Sequence, residues 1–257
     1  MTPSPPDAVP LPLARDTVHL WYVFLEELGV EELSACRRIL SPDEQAHLDR
    51  LSLEKVHRQF LVTRALVRNV LSRYAAVDPL AWTFAKNRYG CPRLSGPPWV
   101  PPLSFNISHT NGLVAVLVAL DREVGVDVED AKRSGQTVEI ADRFFSAVET
   151  AELRSLPVAA QRERFFEYWT LKESYIKARG MGLSIPLDQF TFHLAAGAKP
   201  RISFDSRLAD DPSSWQFEEL RASARHPVAV AIRRRGEPDL AIRVRRTLPA
   251  ESIVPGA

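Results

Sequence analysis

WTFAKNRYGCPRL (82–94) is matched 108 positions later by FTFHLAAGAKPRI (190–202). Each stretch is an aromatic-Thr-Phe triplet, seven residues, then Pro-Arg-aliphatic, which reads as strand, turn, strand. Working outward, the echo continues. SPDEQAHL (41–48) and SAVETAEL (146–153) share S-x-x-E-x-A-x-L at an offset of 105. Both are capping boxes, in which the Ser oxygen accepts from a free backbone N–H and the Glu three residues on reaches back. FLVTRALVR (60–68) and FEYWTLKES (166–174) lie in long helical patterns, and VAVLV (114–118) and VAVAI (228–232) are strand-like. HLWYVF (19–24) and VGVDVE (124–129) are the corresponding opening strands. The pattern predicts an α+β fold of two pseudo-symmetric halves made by tandem duplication, each running strand, capped helix, long helix, strand, turn, strand. The halves are expected at 17–121 and 122–246, flanked by mobile Pro-containing tails at 1–16 and 247–257. A cleft between duplicated halves is a preferred ligand site, so the active site is expected there.

Composition narrows the function. The chain has 257 residues, enough for a substantial core, with 45% hydrophobic and 25% charged residues, as in ordinary soluble proteins. Lys and Arg total 33 against 32 Asp and Glu, a formal net charge of +1, which gives no support to a dedicated nucleic-acid binder. The longest uncharged apolar run, GLVAVLVAL (112–120), is too short for a bilayer, and the opening residues lack the apolar core of a secretory signal. Cys36 and Cys91 show neither metal-type spacing nor a disulfide framework, which suits a reducing cytoplasm.

The second half departs from the first where chemistry would require it. In EVGVDVED (123–130), Asp127 and Glu129 share one face by the period-two register, with Val126 and Val128 on the other. Like charges side by side on a strand need solvent or a cation between them. In YWTLKESYIKARGMG (168–182), Glu173 and Lys177 lie one above the other on a helix that Gly180 and Gly182 terminate. Read alone, these are a solvated edge strand and an exposed ion pair. Read together, Asp127, Glu129 and Glu173 are three oxygen donors of the kind Mg²⁺ takes, and Lys177 could hold a phosphate oxygen beside it. That composition suits phosphoryl chemistry.

FNISHTNG (105–112), VGVDVED (124–130), RFFSAVE (143–149) and WTLKESYIKARGMGL (169–183) together resemble the 4′-phosphopantetheinyl transferase superfamily. The duplicated length is similar to its monomeric two-subdomain branch, which activates the carrier proteins of peptide and polyketide synthases. The resemblance implies transfer of 4′-phosphopantetheine from coenzyme A to a serine of an apo acyl or peptidyl carrier protein, releasing adenosine 3′,5′-bisphosphate. It assigns Asp127, Glu129 and Glu173 to Mg²⁺, with Mn²⁺ as the alternative. It makes Glu173 the base, directly or through water, and places Lys177 on the attacked phosphate. Ser108 and His109 would contact the coenzyme's phosphates, and Arg58 and Arg64 would hold its 3′-phosphate. Many relatives carry Gly-Lys-Pro where this chain has Gly90-Cys91-Pro92, so Lys86, Arg88 or Arg93 would substitute for that lysine. The implied protein is a cytoplasmic monomer whose partners are coenzyme A and carrier proteins, without nucleic acid or membrane.

Other readings of the same residues are weaker. Ser108 and His109 are adjacent on an extended segment and point in opposite directions, and no Gly-x-Ser-x-Gly elbow accompanies them, which argues against a hydrolytic triad. Ser146 and Glu149 are explained as a helix cap. RHPVAVAIRRRGEPDLAIRVRR (225–246) reads as a hairpin with a solvated basic face, which could also steer an acidic carrier. A metal-dependent phosphohydrolase or nuclease could use the same acids without an acceptor protein. A non-catalytic coenzyme A-binding module would not need a metal site and a base.

Overall fold

Residues 10–248 are described by the structure, a computed structural model. Within them the chain forms two compact units. The first takes residues 10–86, 92–121 and 241–248; the second takes 87–91 and 122–240. Most of both tails lies outside the described residues.

The first unit opens with β1 (Thr17–Phe24), followed by helices α1 (Val30–Arg38), α2 (Pro42–Leu48) and α3 (Glu54–Ser72). A hairpin of β2 (Thr83–Lys86) and β3 (Pro92–Gly96) leads to β4 (Leu103–Thr110) and β5 (Leu113–Leu120). The second unit repeats this plan: β6 (Val124–Val128), a short α4 (Ala141–Phe144), α5 (Ala147–Ser155), α6 (Val158–Arg179), a hairpin of β7 (Phe190–His193) and β8 (Arg201–Phe204), then β9 (Trp215–Ser223) and β10 (His226–Arg233). The sheets have the same topology, β1-β5-β4 and β6-β10-β9, antiparallel throughout these strands.

The repeated thirteen residues explain themselves in register. Phe84 stands opposite Leu94 in the first hairpin and Phe192 opposite Ile202 in the second, so the aromatic and aliphatic positions are cross-strand partners. Both capping boxes form: Ser41 accepts from the Glu44 N–H and Ser146 from the Glu149 N–H, with each Glu accepting from the Ser N–H in return. The two glutamates do a second job. Arg68 of α3 is buried, donates to Glu44 at 2.8 Å, and donates to the carbonyls of Pro79 and Trp82. Lys172 of α6 is fully buried, pairs with Glu149 at 2.7 Å, and donates to the carbonyls of Leu187 and Phe190. Each unit thus pins its capped helix, long helix and hairpin entry with one buried cation. Burial pushes the Lys172 ammonium below its ordinary pKa, and the Glu149 carboxylate opposes that shift.

The core of each unit lies between its long helix and its sheet. Val62, Leu66 and Val70 of α3 pack with Trp21, Val23, Val116 and Val118. Phe165, Tyr168, Leu171 and Tyr175 of α6 pack with Phe190, Phe192, Phe217, Ala229 and Ala231. No helix among the described residues is long and apolar enough to cross a membrane.

One expected element is corrected. The Arg-rich segment is no hairpin: β10 is the central strand of its sheet, with both edges taken by β6 and β9, so it has no edge left to pair. The last strand, β11 (Ala241–Arg246), instead runs parallel to β1, with His19 opposite Arg243 and Trp21 opposite Arg245. The boundary expected at 246 therefore falls after Leu240, and residues 87–91 join the second unit.

Candidate active site

Asp127 of β6 is buried beneath a helix, and Glu129, just past the end of the strand, is half-buried. Gly125 and Asp127 lie on one side of β6, and Glu129, one residue beyond its end at Val128, continues the alternation. A Cβ on Gly125 would lie 2.0 Å from the Ser174 carbonyl oxygen and 2.5 Å from the Ala178 nitrogen, so α6 approaches β6 where no side chain could stand. That approach brings Glu173 and Lys177 over the two acids. Lys177 Nζ donates to Asp127 Oδ1 at 2.6 Å, and Asp127 is buried. Glu129 is paired with Arg133 at 3.2 Å.

The carboxyls act on one another. Burial, with the Asp127 charge adding to it, pushes Glu173 up to about 7, and the Glu129 charge adds further; Lys177 opposes the shift. Glu129 is also raised, by burial and then by Asp127, against the pull of Arg133 and Lys177. Glu173 is therefore a carboxyl whose protonation changes near neutrality, the property a general base or acid needs. The helix ends beside it as expected. Gly180 takes the left-handed conformation, φ 63°, that closes α6, while Gly182 begins a short 3₁₀ turn.

Among the described residues no group of three or more His, Cys, Asp or Glu side chains is gathered to hold a metal. Two of the three acids are instead paired with cations, Asp127 with Lys177 and Glu129 with Arg133. The donor chemistry still fits a hard divalent cation, since all three groups are carboxylates whose mutual repulsion such a charge would relieve.

The remaining candidates are spread over separate elements. Ser108 and His109 sit on β4 with Ser108 buried and His109 exposed, which confirms their opposed directions. Arg58 of α3 donates from one guanidinium nitrogen, Nη2, to the carbonyls of Leu25 and Leu28, both at 2.6 Å. Arg64 lies 4.0 Å from Glu44 and over the Phe60 ring. Lys86 is exposed at the end of β2; Arg88 is exposed against Tyr89. Lys86 and the β4 and α3 residues belong to the first unit, while Arg88, Asp127, Glu129, Glu173 and Lys177 belong to the second.

Sequence reasoning passed over three residues. Lys172 lies four residues after Tyr168 and three before Tyr175, so its place on the apolar face was readable. Gly125 inside a strand pattern signals close backbone approach. Asn87, which bonds the Gly180 carbonyl, carried no such signal.

Comparison with known proteins follows the same lines. Residues 123–231 match the family described as the 4′-phosphopantetheinyl transferase superfamily, and residues 29–121 match the one described as 4′-phosphopantetheinyl transferase, N-terminal. The chain is 35% identical over 184 residues to the 4′-phosphopantetheinyl transferase HetI of Nostoc sp., covering 71% of this chain and 75% of that one. It is 34% identical over 168 residues to the 4′-phosphopantetheinyl transferase Sfp of Bacillus subtilis, covering 65% and 72%. The crystal structure of Thermotoga maritima holo-[acyl-carrier-protein] synthase overlaps at 22% identity with a TM-score of 0.35, over 47% of this chain and 64% of that one.

Proposed function

The chain belongs to the 4′-phosphopantetheinyl transferase superfamily, and from that premise we propose how its residues do the work. The enzyme transfers 4′-phosphopantetheine from coenzyme A to a serine hydroxyl of an apo carrier protein, with adenosine 3′,5′-bisphosphate as the other product. One observation carries the assignment of roles: Lys177 and Glu173, both half-buried on α6, lie over the buried Asp127, with Lys177 bonded to it and Glu173 raised to about 7.

A serine hydroxyl is a weak nucleophile and needs its proton removed as it attacks. Glu173 takes that proton, and its raised pKa makes it a stronger base than an ordinary carboxylate. The serine oxygen bonds to the phosphorus next to the pantetheine as the bond to the adenosine-side phosphate breaks. Lys177 places its ammonium beside the attacked phosphate, and Asp127 holds Lys177 in position until substrate arrives. Asp127, Glu129 and Glu173 would hold Mg²⁺, with Mn²⁺ the alternative, and the bound ion supplies charge neutralisation for the diphosphate. His109, exposed on β4, contacts the coenzyme's phosphates, and Ser108, whose side chain faces the other way, would reach them through its main chain. Arg64, Lys86 and Arg88 are the cations available for its adenosine end, with Cys91 standing where relatives carry lysine. Arg58, anchored through Nη2 to the Leu25 and Leu28 carbonyls, would offer its other guanidinium nitrogens to the 3′-phosphate. The duplicated unit within one chain supports a working monomer. The two free cysteines suit a reducing compartment such as the cytoplasm.

The test is direct. Incubating the protein with coenzyme A, Mg²⁺ and apo acyl or peptidyl carriers should give the phosphopantetheine adduct by intact mass. Glu173→Gln should lower turnover on the order of 100-fold or more with the fold intact. No adduct on any carrier defeats the reading, and coenzyme cleavage without an acceptor favours a hydrolase. Near-normal turnover by Glu173→Gln removes that residue from the mechanism.

A further inference from the structure

Residues 87–91, the turn between β2 and β3, belong to the second unit, and one side chain organises them. Asn87 Oδ1 accepts from the N–H groups of Tyr89 and Cys91, at 2.9 and 3.0 Å. The Asn87 backbone closes the same turn, its N–H donating to the Cys91 carbonyl and its carbonyl accepting from Gly90, which takes φ 85°. With its acceptor spent inside the turn, the amide turns its Nδ2 outward and donates to the carbonyl of Gly180 at 2.7 Å, across 93 positions of sequence.

Gly180 is the left-handed cap of α6, and its N–H donates to the Lys177 carbonyl. The Asn87 amide therefore holds the last turn of the helix that carries Glu173 and Lys177. Carbonyls at a helix C-terminus lack an intrahelical partner, and a cap that satisfies one fixes where the helix stops. Lys177 is one turn from that end. Its ammonium donates to Asp127.

We propose that Asn87 is a positioning residue, a clamp that fixes the Lys177 end of α6 and sets the Arg88–Cys91 turn against it. The functional consequence rests on the reading of Lys177 as the phosphate-binding cation. The chemistry separates two jobs within one side chain. Asn87→Asp keeps an oxygen acceptor for the Tyr89 and Cys91 N–H groups and loses the donor to Gly180. Asn87→Ala loses both.

Two measurements test the clamp, both on the full-length chain. Amide hydrogen exchange over residues 176–182 should quicken about fivefold to tenfold in Asn87→Asp, as expected for one lost hydrogen bond. Exchange in the buried strands β6 and β10 should stay as in the wild type. In the transfer assay with coenzyme A and an apo carrier, kcat per folded molecule should fall on the order of tenfold or more. The Ala variant should match or exceed that loss. A merely structural role would reduce the amount of folded enzyme and leave kcat per folded molecule unchanged. Wild-type exchange at the end of α6 in Asn87→Asp overturns the clamp, as does wild-type kcat in both variants. A wild-type protein that modifies no carrier defeats the functional reading, and the exchange measurement then judges the clamp alone.

Discussion

His19 shows how one residue reports its surroundings. It sits on β1, almost fully buried, with Nδ1 2.8 Å from the Tyr74 hydroxyl. Trp21 Nε1 donates to that same hydroxyl at 2.6 Å, which leaves the tyrosine proton free to point at His19 Nδ1, an arrangement a neutral imidazole accepts. Burial, and then the charges of Arg245 and Arg243, lower His19 from 6.5 to about 4. The unfolded chain protonates this histidine first as pH falls, so the contribution is complete above about 6.5 and is lost as pH drops toward 4. It amounts to at most about 3 kcal/mol. Urea denaturation between pH 7.5 and 4.5 should show wild-type stability falling more steeply than that of His19→Gln. Parallel slopes would mean that another group carries the proton uptake. The two arginines that add to the effect of burial come from β11, which the pattern of residues had placed in the other half.

At the scale of elements, α6 is fixed by one small residue and one buried charge. Gly125→Ala must push the helix backbone off β6, because the clash at 2.0 Å is with a main-chain oxygen and no side chain can swing away. We expect about 1–3 kcal/mol of destabilisation. We also expect a larger loss of transfer activity than Ala229→Gly causes at the paired strand, because Glu173 and Lys177 move with the helix. Equal effects of the two would separate the β6–α6 approach from catalysis. Lys172→Met leaves Glu149 buried without its cation and should cost about 3–5 kcal/mol, with Lys172→Met/Glu149→Gln recovering part of it. Strict additivity of the two substitutions would show that the pair is not coupled. In the first unit Arg68 and Glu44 do the same work, which is why the duplication survives in the pinning even where the surface chemistry has diverged.

On the scale of the whole molecule, β11 makes the first unit discontinuous in sequence. A chain ending at Leu240 would bare the edge of β1, where six residues of β11 now pair. Hydrogen exchange should then lose protection along β1 while β6 and β10 keep theirs; loss of protection in both sheets would mean that the units do not fold separately. The repeat itself needed no coordinates. Paired capping boxes, the Phe–aliphatic hairpin motif and matched strand patterns are local or evenly periodic signals, and each survives in the structure at its own position. Asp127 against Ala229 and Tyr22 against Ala115 hold the same register in the two sheets, so the acids stand where the first unit has aromatic residues. The second half's departure could be read from composition alone. The parallel docking of β11, the close approach at Gly125 and the hold of Asn87 on Gly180 could not. What the sequence by itself determined was every feature governed by neighbours within a few turns or strands: the helices, their caps, the hairpins, the duplication and the acids with their lysine. Only the tertiary structure decided which sheet edge was free, which cation each acid took and which carbonyl a distant amide reached, because those choices depend on competition among groups far apart in the chain.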